Sequence, residues 1–209
     1  MKKVSVINYG MGNIFSIVSA CKKVGLDVRV TNDRDEILSS NAIILPGVGS
    51  FNSAMNKIKD LKLDLIISEF HKSNRPIIGI CLGMQLLFNE SDERGKTKGL
   101  GLIEGRVSSI DNKLLNGNKE FLNIGWNSID IKIKNSLLNQ IKNNSKFYFV
   151  HSFLCEPKNT KIVSSLSQID GYNFCSSIKF ENIEGFQFHP EKSSDNGVLV
   201  YSELKKILK

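Results

Sequence analysis

The stretch that most constrains the fold is residues 76–87, which read PIIGICLGMQLL. It begins with a short apolar run, which is typical of a buried strand in a parallel sheet. The pattern then changes to apolar residues at helical spacing, and Cys81 stands at the change between two glycines. A nucleophile between glycines at a strand-to-helix turn has the form of a nucleophile elbow, here with cysteine where hydrolases carry serine.

This turn favours a reactive cysteine for two physical reasons. Glycine at 79 and 83 lets a helix lie close against the strand. The turn also places the Cys81 sulfur at a helix N-terminus, where unpaired N–H groups and the helix dipole stabilise a thiolate. A buried core cysteine without catalytic function is the alternative interpretation. With the flanking glycines, the sequence supports the two interpretations about equally.

Length and composition bound the class of protein. The chain has 209 residues, of which 41% are hydrophobic and 23% charged, as in globular α/β proteins with a substantial core. No apolar run approaches the roughly 20 residues that span a bilayer, and the first residues lack the apolar core of a signal peptide. We therefore expect no membrane association and a cytoplasmic location.

The charge pattern argues against nucleic-acid binding. The net charge is +7, but the lysines are scattered rather than clustered, and no aromatic platform accompanies them. A modest basic excess fits an acidic protein partner or anionic metabolites better.

Two further patterns argue against a metal or an organic cofactor. The four cysteines have no CxxC or zinc-ligand spacing, which also argues against a disulfide framework. They are Cys21, Cys81, Cys155 and Cys175. Gly10 and Gly12 follow the first predicted strand, but a dinucleotide fingerprint would need a third glycine where Phe15 stands.

Strands and helices alternate along the first part of the chain. The predicted strands are 3–8, 28–30, 42–45 and 77–80. The predicted helical segments between them are 14–24, 33–38, 52–59 and 61–72. This order predicts parallel strands with right-handed crossovers.

The second part has a different texture. We predict a polar loop at 89–98 and a closing amphipathic helix at 196–208. Between them the predicted strands are 146–150, 161–166, 174–179 and 183–188. Because no repeat or linker interrupts the chain, we expect one α/β domain over residues 1–209. Its central sheet should be mainly parallel, flanked by helices, with an added antiparallel portion.

A second motif, GFQFHPEK at 185–192, supplies partners for the cysteine. Side chains alternate along a strand, so His189 and Glu191 point the same way if the extended conformation persists. The motif predicts Cys81 as nucleophile, His189 as base and Glu191 as the group that orients the base. A surface or core histidine without catalytic function is the alternative.

With these motifs the sequence resembles a known family, the class I or triad-type glutamine amidotransferases. The resemblance rests on PGVG at 46–49, GICLGMQ at 79–85 and FQFHPE at 186–191, in the family's order. It extends over nearly the whole chain and implies the family's flavodoxin-like fold. Within the family, the sequence is most similar to the glutaminase subunits of imidazole glycerol phosphate synthase. This similarity rests on four features: NYGMGN at 8–13, PGVG at 46–49 rather than a longer oxyanion strand, GLGLIEG at 99–105, and GWN at 125–127 followed by YFVHSF at 148–153.

The resemblance implies glutamine hydrolysis through a γ-glutamyl thioester on Cys81, with the ammonia passed to a partner. The implied oxyanion hole comprises Gly47, Val48, Gly49 and Leu82. The implied glutamine-binding residues are Gly49, Gln85, Glu93, Ser152 and Phe153. Taken alone, Gln85 reads as a helix-surface residue, Glu93 as a solvated loop acid and 152–153 as a strand end.

In this branch the partner is a (β/α)8-barrel cyclase subunit of histidine biosynthesis, and the two form a heterodimer. Asn13, Trp126 and Lys192 match positions that face it, although Trp126 is as compatible with the core. The family usually has Pro-His-Met where this chain has Leu-Asn-Ile at 122–124. This difference leaves open a paralogous subunit that supplies ammonia for amidation of a nucleotide-linked or cell-surface sugar.

Three other classes compete with a glutaminase. They are a non-catalytic regulatory subunit, a flavodoxin-like binding module and a cysteine hydrolase of the peptidase kind. The complete Cys-His-Glu set argues against the first, and the absence of a convincing phosphate loop at 9–13 argues against the second. Gln85 and the His-Pro-Glu motif fit glutamine hydrolysis better than peptide hydrolysis.

Overall fold

The computed structural model describes residues 2–110, 122–134 and 137–208. The helices in these ranges are α1 (Ile14–Lys23), α2 (Arg34–Leu38), α3 (Phe51–Asp60), α4 (Leu63–Lys72), α5 (Leu82–Leu86) and α6 (Ser194–Ile207). None of them is long and apolar enough to cross a bilayer.

The strands fall into a first group that alternates with helices and a second group that follows them. The first group is β1 (Lys3–Ile7), β2 (Asp27–Thr31), β3 (Ala42–Leu45) and β4 (Ile77–Ile80). The second group is β5 (Phe88–Ser91), β6 (Thr97–Lys98), β7 (Ile103–Ser109), β8 (Asn123–Ser128), β9 (Asp130–Ile131), β10 (Lys146–His151), β11 (Phe153–Pro157), β12 (Val163–Ile169), β13 (Tyr172–Phe180) and β14 (Ile183–Phe186).

The central sheet is parallel on one side and antiparallel on the other. Its order over the described strands is β2-β1-β3-β4-β14-β13-β12-β9. The pairs from β2 to β14 are parallel, and those from β14 to β9 are antiparallel. Strands β3 and β4 are buried along their whole length, as continuous apolar runs in a parallel sheet should be. The mainly parallel α/β sheet with an antiparallel portion is therefore confirmed.

The core consists of two layers, one on each face of this sheet. Cys21 of α1 and Leu204 of α6 belong to one buried cluster. Met55 of α3 and Phe70 of α4 belong to the other. Because each helix buries only one apolar face, helices on both faces leave the strand ends as the accessible part of the sheet.

The remaining described strands form two smaller sheets beside the central one. Strand β8 pairs with β10, and β11, β7, β5 and β6 form the other sheet. The polar loop predicted at 89–98 is wrong in part, because β5 and β6 pair as an antiparallel hairpin there. Ser91 is buried while Glu90 bonds to Lys96 at 3.0 Å on the outside, so an edge hairpin here needs few apolar residues.

The strand ends determine where a site can form. Strands β3, β4 and β14 are parallel neighbours, so their carboxyl ends meet at one edge of the sheet. The segments that leave this edge are 46–49, Cys81 and 187–189. Ligands of open α/β sheets bind at such an edge.

Candidate active site

Cys81 occupies the strand-to-helix turn that the sequence predicts. It follows β4, precedes α5 and has φ 54° and ψ −113°, which is strained for a residue with a side chain. A Cβ at Gly83 would lie 1.9 Å from the Leu45 carbonyl oxygen, and one at Gly79 would lie 2.7 Å from the Met84 Cα. The close approach of strand and helix thus requires glycine on both sides of Cys81.

His189 and Glu191 form a buried pair. Nδ1 of His189 lies 2.8 Å from Oε1 of Glu191, and their side chains are 2% and 0% exposed. The pairing arises from a turn rather than from strand alternation, because β14 ends at Phe186 and Pro190–Lys192 is a single 3-10 turn. The backbone N–H of His189 donates to the Tyr148 carbonyl at 2.9 Å, which fixes the imidazole against β10.

The surroundings of His189 favour its charged form. Burial opposes protonation, but the interaction with Cys81 and the hydrogen bond and charge of Glu191 outweigh it and raise the pKa of His189 to about 10. Its Nε2 atom is buried, and its contact with the Cys81 sulfur lies outside the limits of an ordinary hydrogen bond. An imidazolium beside the sulfur stabilises a thiolate, which is the nucleophilic form of cysteine.

The other three cysteines are poor nucleophiles. Burial raises the pKa of Cys21 and Cys175 to about 12, and it raises the pKa of Cys155 well above the usual range. All three therefore remain thiols at neutral pH, which leaves Cys81 as the candidate nucleophile among the four cysteines.

A cavity of about 200 Å³ opens beside Cys81 and His189. Most of the sequence-predicted site residues line it, namely Val48, Gly49, Cys81, Leu82, Gln85, Glu93, Ser152, Phe153 and His189. Two predicted residues stand behind this lining. Glu191 supports His189, and a Cβ at Gly47 would lie 2.6 Å from the Leu82 Cβ.

The segment after β3 is held close to the elbow. The Tyr9 hydroxyl donates to the Pro46 carbonyl at 2.7 Å, and Gly49 has φ 93°, which glycine adopts readily. Glu93 accepts from the Phe51 backbone N–H at 2.7 Å, at the first residue of α3. The carboxylate of Glu93 therefore lines the cavity and also fixes the chain that leaves 46–49.

Gln85 is buried in the cavity wall, where it joins two further residues. Its Nε2 donates to the Phe153 carbonyl at 3.2 Å and to Oε1 of Gln187 at 3.1 Å. Nε2 of Gln187 lies 3.8 Å from the Cys81 sulfur. Sequence reasoning missed Gln187, although a glutamine between two phenylalanines, Phe186 and Phe188, was visible in the sequence; the structure shows that its side chain is fully buried.

Sequence reasoning also missed His151, which lines the same cavity. Burial and, to a smaller extent, the charge of His189 lower its pKa to about 4, despite an opposing hydrogen bond to the Phe153 carbonyl. The two histidines are thus in opposite states at neutral pH: His151 is neutral and His189 is protonated.

Two of the predicted partner-face residues lie on one surface. Trp126 is 47% exposed, and its ring centroid lies 6.1 Å from that of Tyr148. Nζ of Lys192 lies 5.8 Å from the same tyrosine ring. Asn13 is the residue before α1, and α1 packs against the turn that contains Lys192.

In the part of the chain that the structure describes, no group of three or more His, Cys, Asp or Glu side chains has the arrangement of a metal site. The cavity instead offers a sulfur nucleophile, a histidine base and backbone N–H groups. This set is suited to acyl transfer.

Comparison with known proteins identifies the family. The family model described as "Glutamine amidotransferase class-I" matches residues 5–204. The chain therefore belongs to the class I glutamine amidotransferases. It is 38% identical to "Imidazole glycerol phosphate synthase subunit HisH" of Pyrococcus furiosus, with 99% of this chain and 100% of that protein covered.

Another relative and a solved structure agree. The chain is 42% identical to "Imidazole glycerol phosphate synthase subunit HisH 2" of Vibrio vulnificus, with 94% of this chain and 90% of that protein covered. The solved structure of PurLQS from Thermotoga maritima superposes with a TM-score of 0.78 at 18% identity, with 100% of both chains covered. This second likeness shows the fold alone.

Proposed function

We propose that this chain is the glutaminase subunit of imidazole glycerol phosphate synthase and that Cys81, His189 and Glu191 are its catalytic residues. The observation that carries the proposal is the strained elbow of Cys81, which opens to a cavity beside the buried His189–Glu191 pair. The relatives named as subunits of this synthase, at 38% and 42% identity, support the assignment.

In the first half of the reaction, the Cys81 thiolate attacks the side-chain carbonyl carbon of glutamine. A carbon–sulfur bond forms, and the negative charge moves to the carbonyl oxygen. The proposed oxyanion hole consists of the Leu82 N–H and the 47–49 segment, of which Val48, Gly49 and Leu82 line the cavity, and each such donor typically contributes about 3 kcal/mol. His189 then gives its proton to the amide nitrogen, the carbon–nitrogen bond breaks, and ammonia leaves.

In the second half, water hydrolyses the thioester. Neutral His189 takes a proton from water, the hydroxide adds to the thioester carbon, and the carbon–sulfur bond breaks to give glutamate. Glu191 holds Nδ1 of His189 at 2.8 Å throughout, so Nε2 faces the reacting atoms in both halves.

The head group of glutamine needs partners for its ammonium and carboxylate. Glu93 lies in the cavity wall and is suited to the ammonium group. The backbone of 152–153 with Gly49 is suited to the carboxylate. Gln85 holds this backbone in place by donating a hydrogen bond to the Phe153 carbonyl. These proposed contacts assign a role to each glutamine-binding residue that the resemblance implies.

The proposed partner is a (β/α)8-barrel cyclase subunit, which receives the ammonia in a heterodimer. Its contact face would contain Trp126 and Lys192 with Asn13 nearby. An exposed tryptophan is a common anchor of interfaces. The family match over residues 5–204 supports one amidotransferase domain across residues 1–209.

The test is product formation by this chain mixed with the histidine-pathway cyclase from the same cell. Cys81→Ala and His189→Ala should each lower glutamine-dependent formation of imidazole glycerol phosphate by about 10⁴-fold or more. Synthesis from added ammonium salt should remain unchanged, because it bypasses the cysteine. Cys175→Ala is the matched control, since it also truncates a buried cysteine and should retain activity. Glutamine-dependent activity of Cys81→Ala at the wild-type level would contradict the mechanism.

Amidation of a sugar through a paralogous barrel is the second candidate. The Leu-Asn-Ile replacement supports it, because Leu122 and Ile124 are 52% and 58% exposed beside Trp126 and so alter the proposed contact face. No product with the histidine-pathway cyclase, together with glutamate release in the presence of a paralogous barrel, would favour this candidate.

A further inference from the structure

Strand β8 has two faces of different chemistry. Ile124 and Trp126 point outward on the proposed contact face. Asn123 and Asn127 alternate with them on the inner face, where Asn123 is buried. Gly125 lies between the two asparagines and has no side chain to separate them.

The inner face connects with β10 through side chains. Asn123 lies directly opposite His151 in the β8–β10 register, so their side chains share one face. Nδ2 of Asn127 lies 3.0 Å from Oδ1 of Asn123, and Nδ2 of Asn123 lies 2.9 Å from Nε2 of His151. Nδ1 of His151 lies 3.0 Å from the Phe153 carbonyl oxygen. We call this series, from Asn127 to Phe153, the polar chain.

The hydrogen atoms of the polar chain can be assigned from its hydrogen-bond partners and the neutral state of His151. A carbonyl oxygen only accepts, so Nδ1 of His151 must carry the proton that it donates to Phe153. Because burial keeps His151 neutral, Nε2 has a lone pair and must accept from the Asn123 amide. The Asn123 oxygen then accepts from Asn127. Every donor therefore points from the surface strand toward the cavity.

The polar chain ends at the proposed glutamine site. The Phe153 carbonyl accepts from both His151 and Gln85, and Ser152 and Phe153 line the cavity. The Ser152 carbonyl accepts from the Ile110 N–H at 2.9 Å, so this backbone is held from several sides.

We propose that His151 is a positioning residue for glutamine, which fixes the 152–153 backbone through its Nδ1–H and is itself fixed by Asn123. This inference rests on the proposed function. His151 does not replace His189 as base, because both of its ring nitrogens have hydrogen-bond partners. The polar chain makes the side chains of β8 part of the geometry of the substrate site.

Two amide substitutions separate the roles of the two ring nitrogens. His151→Asn places an amide N–H near the position of Nδ1 and keeps a donor for the Phe153 carbonyl. His151→Gln places its amide near the position of Nε2, so it keeps a partner for Asn123 and loses the donor for Phe153. Both variants remove the ring, so a purely packing role would affect them alike.

The measurement is the steady-state kinetics of glutamine hydrolysis by the chain in complex with its barrel partner. We expect His151→Gln to raise the KM for glutamine roughly tenfold, and His151→Asn to raise it less than about threefold. In both variants kcat should change less than KM, because the triad is intact. Equal KM values for the two variants, or a loss confined to kcat, would overturn the proposal.

Asn123→Leu keeps the inference testable if the ring variants fail to fold. It removes the donor to Nε2 at similar volume and should raise KM about threefold; an unchanged KM would overturn the role of Asn123.

Cys81→Ala distinguishes this proposal from the proposed function. Glutamine hydrolysis that survives Cys81→Ala would contradict the function, whereas equal His151 variants in a Cys81-dependent enzyme would contradict only the positioning role.

Discussion

The two halves of the central sheet are buried by different means. In the parallel half, β3 and β4 read AIIL and IIGI and bury only apolar side chains and glycine. In the antiparallel half, β12 and β13 bury serines that bond to one another, with Ser165 Oγ 2.6 Å from both Ser176 Oγ and Ser177 Oγ. Strands β3 and β4 therefore depend on apolar packing alone, whereas β12 and β13 add hydrogen-bonded serines to their buried apolar side chains.

The proposed site shows a similar contrast, between the central sheet on one side and the smaller sheets on the other. The parallel half carries Cys81, whose position depends on backbone-to-backbone contact without space for a methyl group. The cavity wall opposite comes from β10 and β11, which pair with strands outside the central sheet and are held by the polar chain. Close packing leaves little room for adjustment, whereas a hydrogen-bonded wall can adjust when its partners do.

The largest effect should come from a methyl group at the elbow. In Gly83→Ala the new Cβ would meet backbone at 1.9 Å, so β3 and α5 must separate. We expect glutaminase activity to fall by about 10²-fold or more and the free energy of unfolding by about 3 kcal/mol.

The matched control for this variant is Gly171→Ala, at the turn between β12 and β13. It has φ 81° and open space around the position of a Cβ. Gly171→Ala should lower the free energy of unfolding by about 1 kcal/mol and leave glutaminase activity unchanged. Equal loss of activity in the two variants would contradict the comparison between the halves.

The next effect concerns the pH dependence of stability. The pKa of His151 is lowered from 6.5 to about 4, so its contribution to stability is present above pH 6.5 and is lost as the pH falls toward 4. The pKa of His189 is raised from 6.5 to about 10, so its contribution is present below pH 6.5 and is lost as the pH rises toward 10.

Urea unfolding across this range should therefore show stability falling in both directions. Between pH 6.5 and 4, the free energy of unfolding should fall by about 3 kcal/mol at most. His151→Phe should remove most of the loss between pH 6.5 and 4 and leave the alkaline side intact. An acid loss of the same size in that variant would show that other groups cause it.

The smallest effect should come from the serines of the antiparallel half. Ser177→Ala leaves the Ser164 and Ser165 hydroxyls short of a partner, so we expect a loss of about 1 to 2 kcal/mol without a change in activity. Removing Ser165 and Ser177 together should cost less than the sum of the single changes. Additive losses would show that the hydroxyls act independently.

The sequence predicted the parallel half better than the antiparallel half, for a physical reason. Continuous apolar runs placed 42–45 and 77–80 where β3 and β4 lie. The strand predicted at 161–166 lies at Val163–Ile169, because the serines and Gln168 there give no apolar alternation. The hairpin of β5 and β6 was missed because its sequence is polar from Asn89 onward.

For the candidate site, motifs led to residues that the structure brings together around one cavity, and their roles remain proposals. The residues missed are Gln187 and His151, whose hydrogen bonds join them to other residues of the cavity wall and of β8. A motif records which chemical groups are present, but whether a buried amide or imidazole touches another group depends on register. The Asn123–His151 contact depends on the pairing of two strands far apart in sequence.

The order of the central sheet also bears on how the chain is made. Strand β14 lies between β4 and β13, although it comes after both of them in the sequence and is the last of the described strands. Until it arrives, β4 presents an apolar edge with unpaired backbone groups, the kind of edge that invites pairing with another chain. The same late strand brings His189, so the nascent chain has the cysteine of the elbow long before it has the base. The insertion of β14 thus closes the exposed edge and brings the members of the proposed triad together.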